Sequence, residues 1–163
     1  MNAHLHPRSV QPQPAAPVAR PAPLGLGDAR LLAEALATLA WASAAIANKP
    51  FAQVAAIAGS RPVRGAPASP AEIDRVVQAV EAWARRVPWR TVCFQQGLAA
   101  HLMLRRRGVA SRMHYGVSQA VEKTPGDKGL GAHVWVSVGD RLVIGGEEAE
   151  RFACLATYPA TAD

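Results

Sequence analysis

The spacing of apolar positions changes once along the chain, near residue 109, and that change sets the fold class. From 28 to 108 apolar residues recur at helical spacing. In "ARLLAEALATLAWASAAIA" (29–47) Leu32, Leu36, Leu39 and Ile46 form a packing face, with Asp28 ahead of them as N-cap. "PFAQVAAIAG" predicts a short second helix ending at Gly59, and residues 60–68 read as a Pro/Gly linker. "SPAEIDRVVQAVEAWARRV" carries the fullest helix signature: Ser69 as N-cap, Pro70 in the first turn and Glu72 three residues after the cap. Ile73, Val76, Val77, Val80 and Trp83 then share one stripe, and Pro88 stops it. Thr91 caps the next helix, which puts Val92 and Cys93 in its first turn, with Leu98, Leu102 and Leu104 for packing and Gly108 as its stop.

After residue 109 the pattern alternates. "SRMHYGVSQ" predicts a strand, residues 124–131 a Gly-rich loop, and "AHVWVSVGDRLVIGG" a hairpin turning at Gly139-Asp140. "RFACLATYP" supplies a last strand. Helices first and strands afterwards make an α+β fold: N-terminal helices followed by a small antiparallel sheet. No internal repeat is visible.

A length of 163 residues suits one domain with a real core. Residues 1–27 are set apart: they hold six of the thirteen prolines and no hydrophobic period, so a disordered Pro-rich tail is expected there, and it lacks the apolar stretch of a secretory signal. The single domain is expected over 28–163, with a helical lead-in at 28–59, the helices flanking Cys93 at 69–108 and the sheet at 109–159. The net charge is +6, but the one basic cluster, Arg105 to Arg107, ends a helix, where cations are favoured anyway. No aromatic residues interleave with basic ones, which argues against nucleic acid as a partner. Residues 29–47 are the one stretch to weigh as a membrane span; Arg30, Glu34 and the alanine content favour a buried helix. Two cysteines 61 positions apart argue for reduced thiols in a cytoplasm.

Candidate chemistry starts at Cys93. A thiol in the first turn of a helix faces unsatisfied backbone N–H groups and the positive end of the helix dipole, both of which stabilise a thiolate. A nucleophilic thiol needs an imidazole to take and return a proton. Of five histidines, His4 and His6 lie in the tail, and His101 lies eight residues down the same helix, about 12 Å along its axis. His114 is mid-strand, and His133 opens the hairpin after the Gly-rich loop. A zinc site from Cys93, His114, His133 and Cys154 lacks the short ligand spacing such sites show. Cys154 is expected buried in its strand, Trp135 and Val134 in the hairpin core, and Trp89 where the helices meet.

A cysteine at a helix start followed by "LRRRGV", a strand with "YGV", then "AHVWV" and a short hairpin resembles the B2 proteins of lasso-peptide biosynthesis, whose fold looks like a trimmed transglutaminase or papain-type protease. The resemblance covers about residues 28–159. It implies a cysteine protease, without cofactor or metal, that removes the leader from a ribosomally made precursor. Cys93 is then the nucleophile and His133 the general base and acid. The implied partners are the precursor peptide, a leader-binding recognition protein or domain, and a separate ATP-dependent macrolactam synthetase; the chain itself reads as a stand-alone protease subunit.

The third catalytic group departs from the family's pattern. The family's acid falls about twelve residues past the histidine, where this chain has Gly145. Asp140, at the hairpin turn, lies nearly 20 Å from His133 at ~3.3 Å per residue. Pairing Val138 with Arg141 sets His133 opposite Gly146, which makes Glu147 the tentative acid, while Asp127 in the loop is a poorer one. A backbone carbonyl or an amide could also orient the ring. The Cys93 N–H is one oxyanion donor, with Gln95 and Gln96 as guesses for a second. Two other functions stay open: transglutaminase-type acyl transfer to an amine, and a catalytically inactive peptide-binding scaffold.

Overall fold

The structure is a computed structural model and describes residues 24–60, 63, 68–118 and 131–160. The expected tail up to residue 23, most of the linker, the Gly-rich loop up to residue 130 and Asp127 lie outside these residues.

Among the described residues, four α-helices precede four strands: α1 (Ala29–Asn48), α2 (Phe51–Ser60), α3 (Pro70–Ala84), α4 (Cys93–Arg106), β1 (Ser111–Ser118), β2 (Gly131–Val138), β3 (Arg141–Ile144) and β4 (Ala153–Tyr158). The fold is α+β, as the change of period predicts. The sheet is antiparallel with strand order β3-β2-β1-β4. The α3 start forms as its sequence dictates: the Ser69 side chain accepts from the Glu72 N–H, while Glu72 accepts from the Ser69 N–H at 2.8 Å.

The helices pack on one face of the sheet. Leu39 and Ala42 of α1, Val76 and Val80 of α3, and Leu98 and Leu102 of α4 share a core with Met113, Val134, Val136 and Ile144. By length and composition α1 could cross a membrane. Here it buries Ala35, Leu39 and Ala42 in that core. Glu34 on its first turns pairs with Arg106 and Arg107 at the end of α4; the Arg107 hydrogen bonds and both positive charges hold the Glu34 carboxyl below its usual range.

Several expectations are corrected. Asp28 does not cap α1 through its side chain; it accepts from the Gly25 N–H at 2.9 Å and pairs with Arg75 of α3. Thr91 does not cap α4, because its hydroxyl is spent on the Ala84 carbonyl at the end of α3. Val92 takes the cap position, and the Gln95 side chain reaches back to its N–H at 3.0 Å. Cys154 is exposed, since β4 is an edge strand. The hairpin turns at Gly139-Asp140 and pairs Val138 with Arg141, but a bulge at Val136/Ser137 shifts the register so that Val136 faces Ile144. The strand then ends at Gly145, in the left-handed region at φ 69°, and residues Gly146–Arg151 form a 3-10 helix. Gly146 is therefore not paired with His133.

Candidate active site

Cys93 is the first residue of α4, half-buried against the edge of the core. The first-turn N–H groups beside it have no acceptor within the helix. Two contacts fix the helix above the sheet. Gly97, one turn on, lies so close to β2 that a Cβ there would fall 2.6 Å from Val134 Cγ1 and 3.7 Å from Val136 Cγ2. Further along, buried His101 bonds the Ala58 carbonyl through Nε2 at 3.0 Å and the Ser111 hydroxyl through Nδ1 at 3.0 Å. The carbonyl can only accept, so Nε2 carries the proton and Ser111 donates to Nδ1.

Those contacts give the direction of the helix. Gly97 lies over Val134 and Val136, while His101 lies beside Ser111, which pairs with Val138. Helix α4 and strand β2 therefore run parallel. Cys93 precedes Gly97 by about 6 Å of helix rise, or roughly two strand residues. That sets it level with the start of β2, where His133 sits.

His133 is buried, with its ring between Trp135 and Phe152 at centroid distances of 6.0 and 4.9 Å. Its Nε2 bonds the Gly145 carbonyl at 2.8 Å. The position at which an acid is expected thus meets the ring through its backbone. A carbonyl only accepts, so in the neutral ring Nε2 carries the proton and Nδ1 holds the lone pair. A Cβ at Gly145 would fall 2.6 Å from the Val134 carbonyl oxygen and 3.2 Å from Nε2, which leaves no room for a carboxylate side chain.

Level placement does not bring thiol and imidazole together. Because β1 and β2 pair without a bulge and Val134 and Val136 point towards α4, His133 and Trp135 leave the opposite face. Cys93 makes no hydrogen bond with His133. A cavity of about 640 Å³ lies beside His133, along β3 and the turn that follows it. It is lined by His133, the segment 142–148 and, from the helical layer, Glu81 of α3; Cys93 is not on its wall. Burial, together with the negative charge of Glu147, raises the Glu81 carboxyl above its usual range.

Glu147 is exposed in the 3-10 helix and lines the cavity without bonding the His133 ring. Asp140 stays at the hairpin turn, and Gln95 is engaged with Val92. His114 bonds Thr157 through Nδ1 at 3.0 Å and Ser137 through Nε2 at 2.9 Å, and it stacks on Trp135. Those contacts hold it as a structural member of the sheet's outer face. Among the described residues, no three His, Cys, Asp or Glu side chains group as metal ligands. Glu81, which lines the cavity from the helical layer, shows in the sequence only as a polar residue one turn after Val77, on the margin of the α3 stripe.

A family model, that of the transglutaminase-like superfamily, matches residues 35–157 of the chain. No curated protein and no solved structure matches it.

Proposed function

The chain belongs to the transglutaminase-like superfamily, whose fold typically carries cysteine-based catalysis in proteases and acyltransferases, and from that premise we propose that it is a cysteine endopeptidase removing the leader of a lasso precursor peptide. The observation that carries this reading is the bond from His133 Nε2 to the Gly145 carbonyl. It fixes the ring's tautomer from the register of the family's acid and leaves Nδ1 to act as base.

In this reading a local rearrangement brings the imidazole and the thiol together. His133 takes the Cys93 proton and the sulfur attacks the scissile carbonyl. The oxyanion forms against the free N–H groups of the α4 start. His133 then protonates the leaving amine, and water resolves the acyl-enzyme. The recognition protein presents the leader, and the freed core passes to the ATP-dependent macrolactam synthetase, all in the cytoplasm. The test is cleavage of a lasso precursor peptide sought among the reading frames neighbouring this one. Cys93→Ala and His133→Ala should each abolish it while the far-UV circular dichroism is retained; normal cleavage by Cys93→Ala would falsify the assignment.

A second reading, a peptide-binding scaffold without catalysis, is favoured by the separation of Cys93 and His133 on opposite faces of β2. A peptidyl electrophile separates the two. Covalent labelling of Cys93 that requires His133 supports the enzyme, and precursor binding without labelling supports the scaffold.

A further inference from the structure

The start of α4 carries a second feature beside the thiol. Phe94 follows Cys93 directly, and its ring meets that of Phe51, the first residue of α2, with centroids 5.8 Å apart. Phe51 in turn meets Tyr115 of β1 at 5.0 Å. Both pairs are tilted, at 48° and 53°, and both separations are ones that aromatic pairs favour. Three elements distant in sequence thus bring three rings to one place. Phe94 and Tyr115 are half-buried, but Phe51 stays 45 % exposed in spite of both contacts. Its ring is held on two sides and still faces solvent.

Helical geometry sets this cluster next to the sulfur. Each residue turns by about 100° around the axis, so Cys93 and Phe94 fall on either side of the line through Gly97. Gly97 lies on Val134 of β2, and Phe94 reaches β1 through Phe51 and Tyr115, which leaves Cys93 on the side away from β1. The sheet supplies a floor. Tyr115 pairs with Val134, and two residues along Val117 pairs with Ala132, on the same face and level with the helix start. Ala132 is exposed and Val117 half-buried, so the helix leaves them partly open. Consecutive Cα atoms of a peptide are about 3.8 Å apart, so a residue within two positions of a carbonyl at Cys93 reaches the rings.

Size and surroundings select the occupant. Among these five side chains the Tyr115 hydroxyl is the one polar group. A charged side chain would lose hydration against them and gain no ion pair. A folded protein seated there would also cover the helix start, and with it the thiol. One large apolar side chain covers the rings and leaves the neighbouring carbonyl free to meet the sulfur.

We propose that Phe51, Phe94 and Tyr115, above Val117 and Ala132, form the specificity subsite for one large apolar side chain of the substrate, aromatic by preference, within two residues of the scissile bond. The proposal rests on the peptidase reading only for the peptide that carries this side chain and for Cys93 as the group its carbonyl meets.

The test measures how fast acetyl-dipeptidyl chloromethyl ketones alkylate Cys93 in the full chain, read by intact mass. Phenylalanine, leucine, glutamine or glutamate stands at each of the two positions. Cys154 is exposed, so every protein carries Cys154→Ser. Each rate is divided by the iodoacetamide rate of the same protein, which removes differences in thiol reactivity. At one position phenylalanine should outpace glutamine by about tenfold or more, with leucine between them and glutamate slowest. Phe51→Ala should cut that preference to about threefold or less. Phe94→Leu, with the same expected direction, serves if that variant does not fold. Equal rates for phenylalanine and glutamine at both positions, or an unchanged preference in the folded variant, overturns the proposal. A second arm uses internally quenched peptides varied over the same four residues. Cleavage indifferent to them defeats the subsite and leaves the peptidase standing; a labelling preference that depends on Phe51, with no peptide cleaved, defeats the peptidase and leaves the subsite standing.

Discussion

His133 Nε2 donates to the Gly145 carbonyl at 2.8 Å, so the histidine is held by backbone at the register where a carboxylate is expected. The left-handed turn at Gly145 aims that carbonyl, and the same turn denies the position a side chain.

Placing a carboxylate at this position should therefore do harm. In Gly145→Asp the new Cβ meets the Val134 carbonyl oxygen and adopts a backbone conformation disfavoured by ~1 kcal/mol or more. Together with the clash, a loss of roughly 2–3 kcal/mol is expected, with lower cleavage. Thermal unfolding and precursor cleavage by Gly145→Asp and Gly145→Ala check this. A more active Gly145→Asp would show that the carbonyl is a poor substitute.

Acidic side chains near the ring should matter unequally. Glu147→Gln is expected to lower cleavage less than His133→Ala, which should cost at least about a hundredfold. Asp140→Asn, at the hairpin turn, should leave the rate unchanged. The kinetic constants of the three variants against one precursor decide the order, and damage from Asp140→Asn would mean that the turn contributes to the site.

Seating of α4 depends on Gly97. Gly97→Ala drives a methyl into Val134, which is buried and β-branched. The overpacking costs about 1–3 kcal/mol, against about 1 kcal/mol gained in helix propensity. A net loss near 1 kcal/mol and slower cleavage are expected. Adding Val134→Ala makes room, so the double variant should be more stable than the two single losses predict, read from denaturant midpoints.

Acid should weaken the fold before the carboxylates titrate. Burial pushes His101 down to about 4, from 6.5, and burial lowers His114 as well. Between those values the unfolded chain binds more protons than the folded one, so the His101 contribution is complete above pH 6.5 and is lost as pH falls towards 4. Its size is about 3 kcal/mol for His101. Urea unfolding at pH 7.5 and 5 should show the drop, and His101→Gln should flatten it. A pH-independent midpoint over this range would mean that the imidazole is solvated in the folded protein.

Much of the scaffold was legible in the residues, because its signals are local. The capping box at Ser69 and Glu72, the left-handed stop at Gly108 and the Gly139-Asp140 turn each act within a few positions. What could not be read depends on partners distant in sequence. Thr91 looks like a cap until the end of α3 claims its hydroxyl. Asp28 likewise looks like one until Arg75 arrives from α3. The hairpin register followed from the turn only as far as the bulge at Val136/Ser137, beyond which one-for-one counting fails. Cys93 at a helix start and His133 on a strand were both legible, but the face His133 takes follows from which neighbours α4 covers. Only tertiary packing decides that.

The glycine contact at one turn of α4 and the buried imidazole at the next seat that helix firmly on the sheet. It behaves as an anvil rather than a lever. Any travel that brings sulfur and ring together must be made on the ribbon's side, where the short third strand gives out early. Crosslinks or ligands that stiffen that margin should therefore govern turnover without touching the nucleophile.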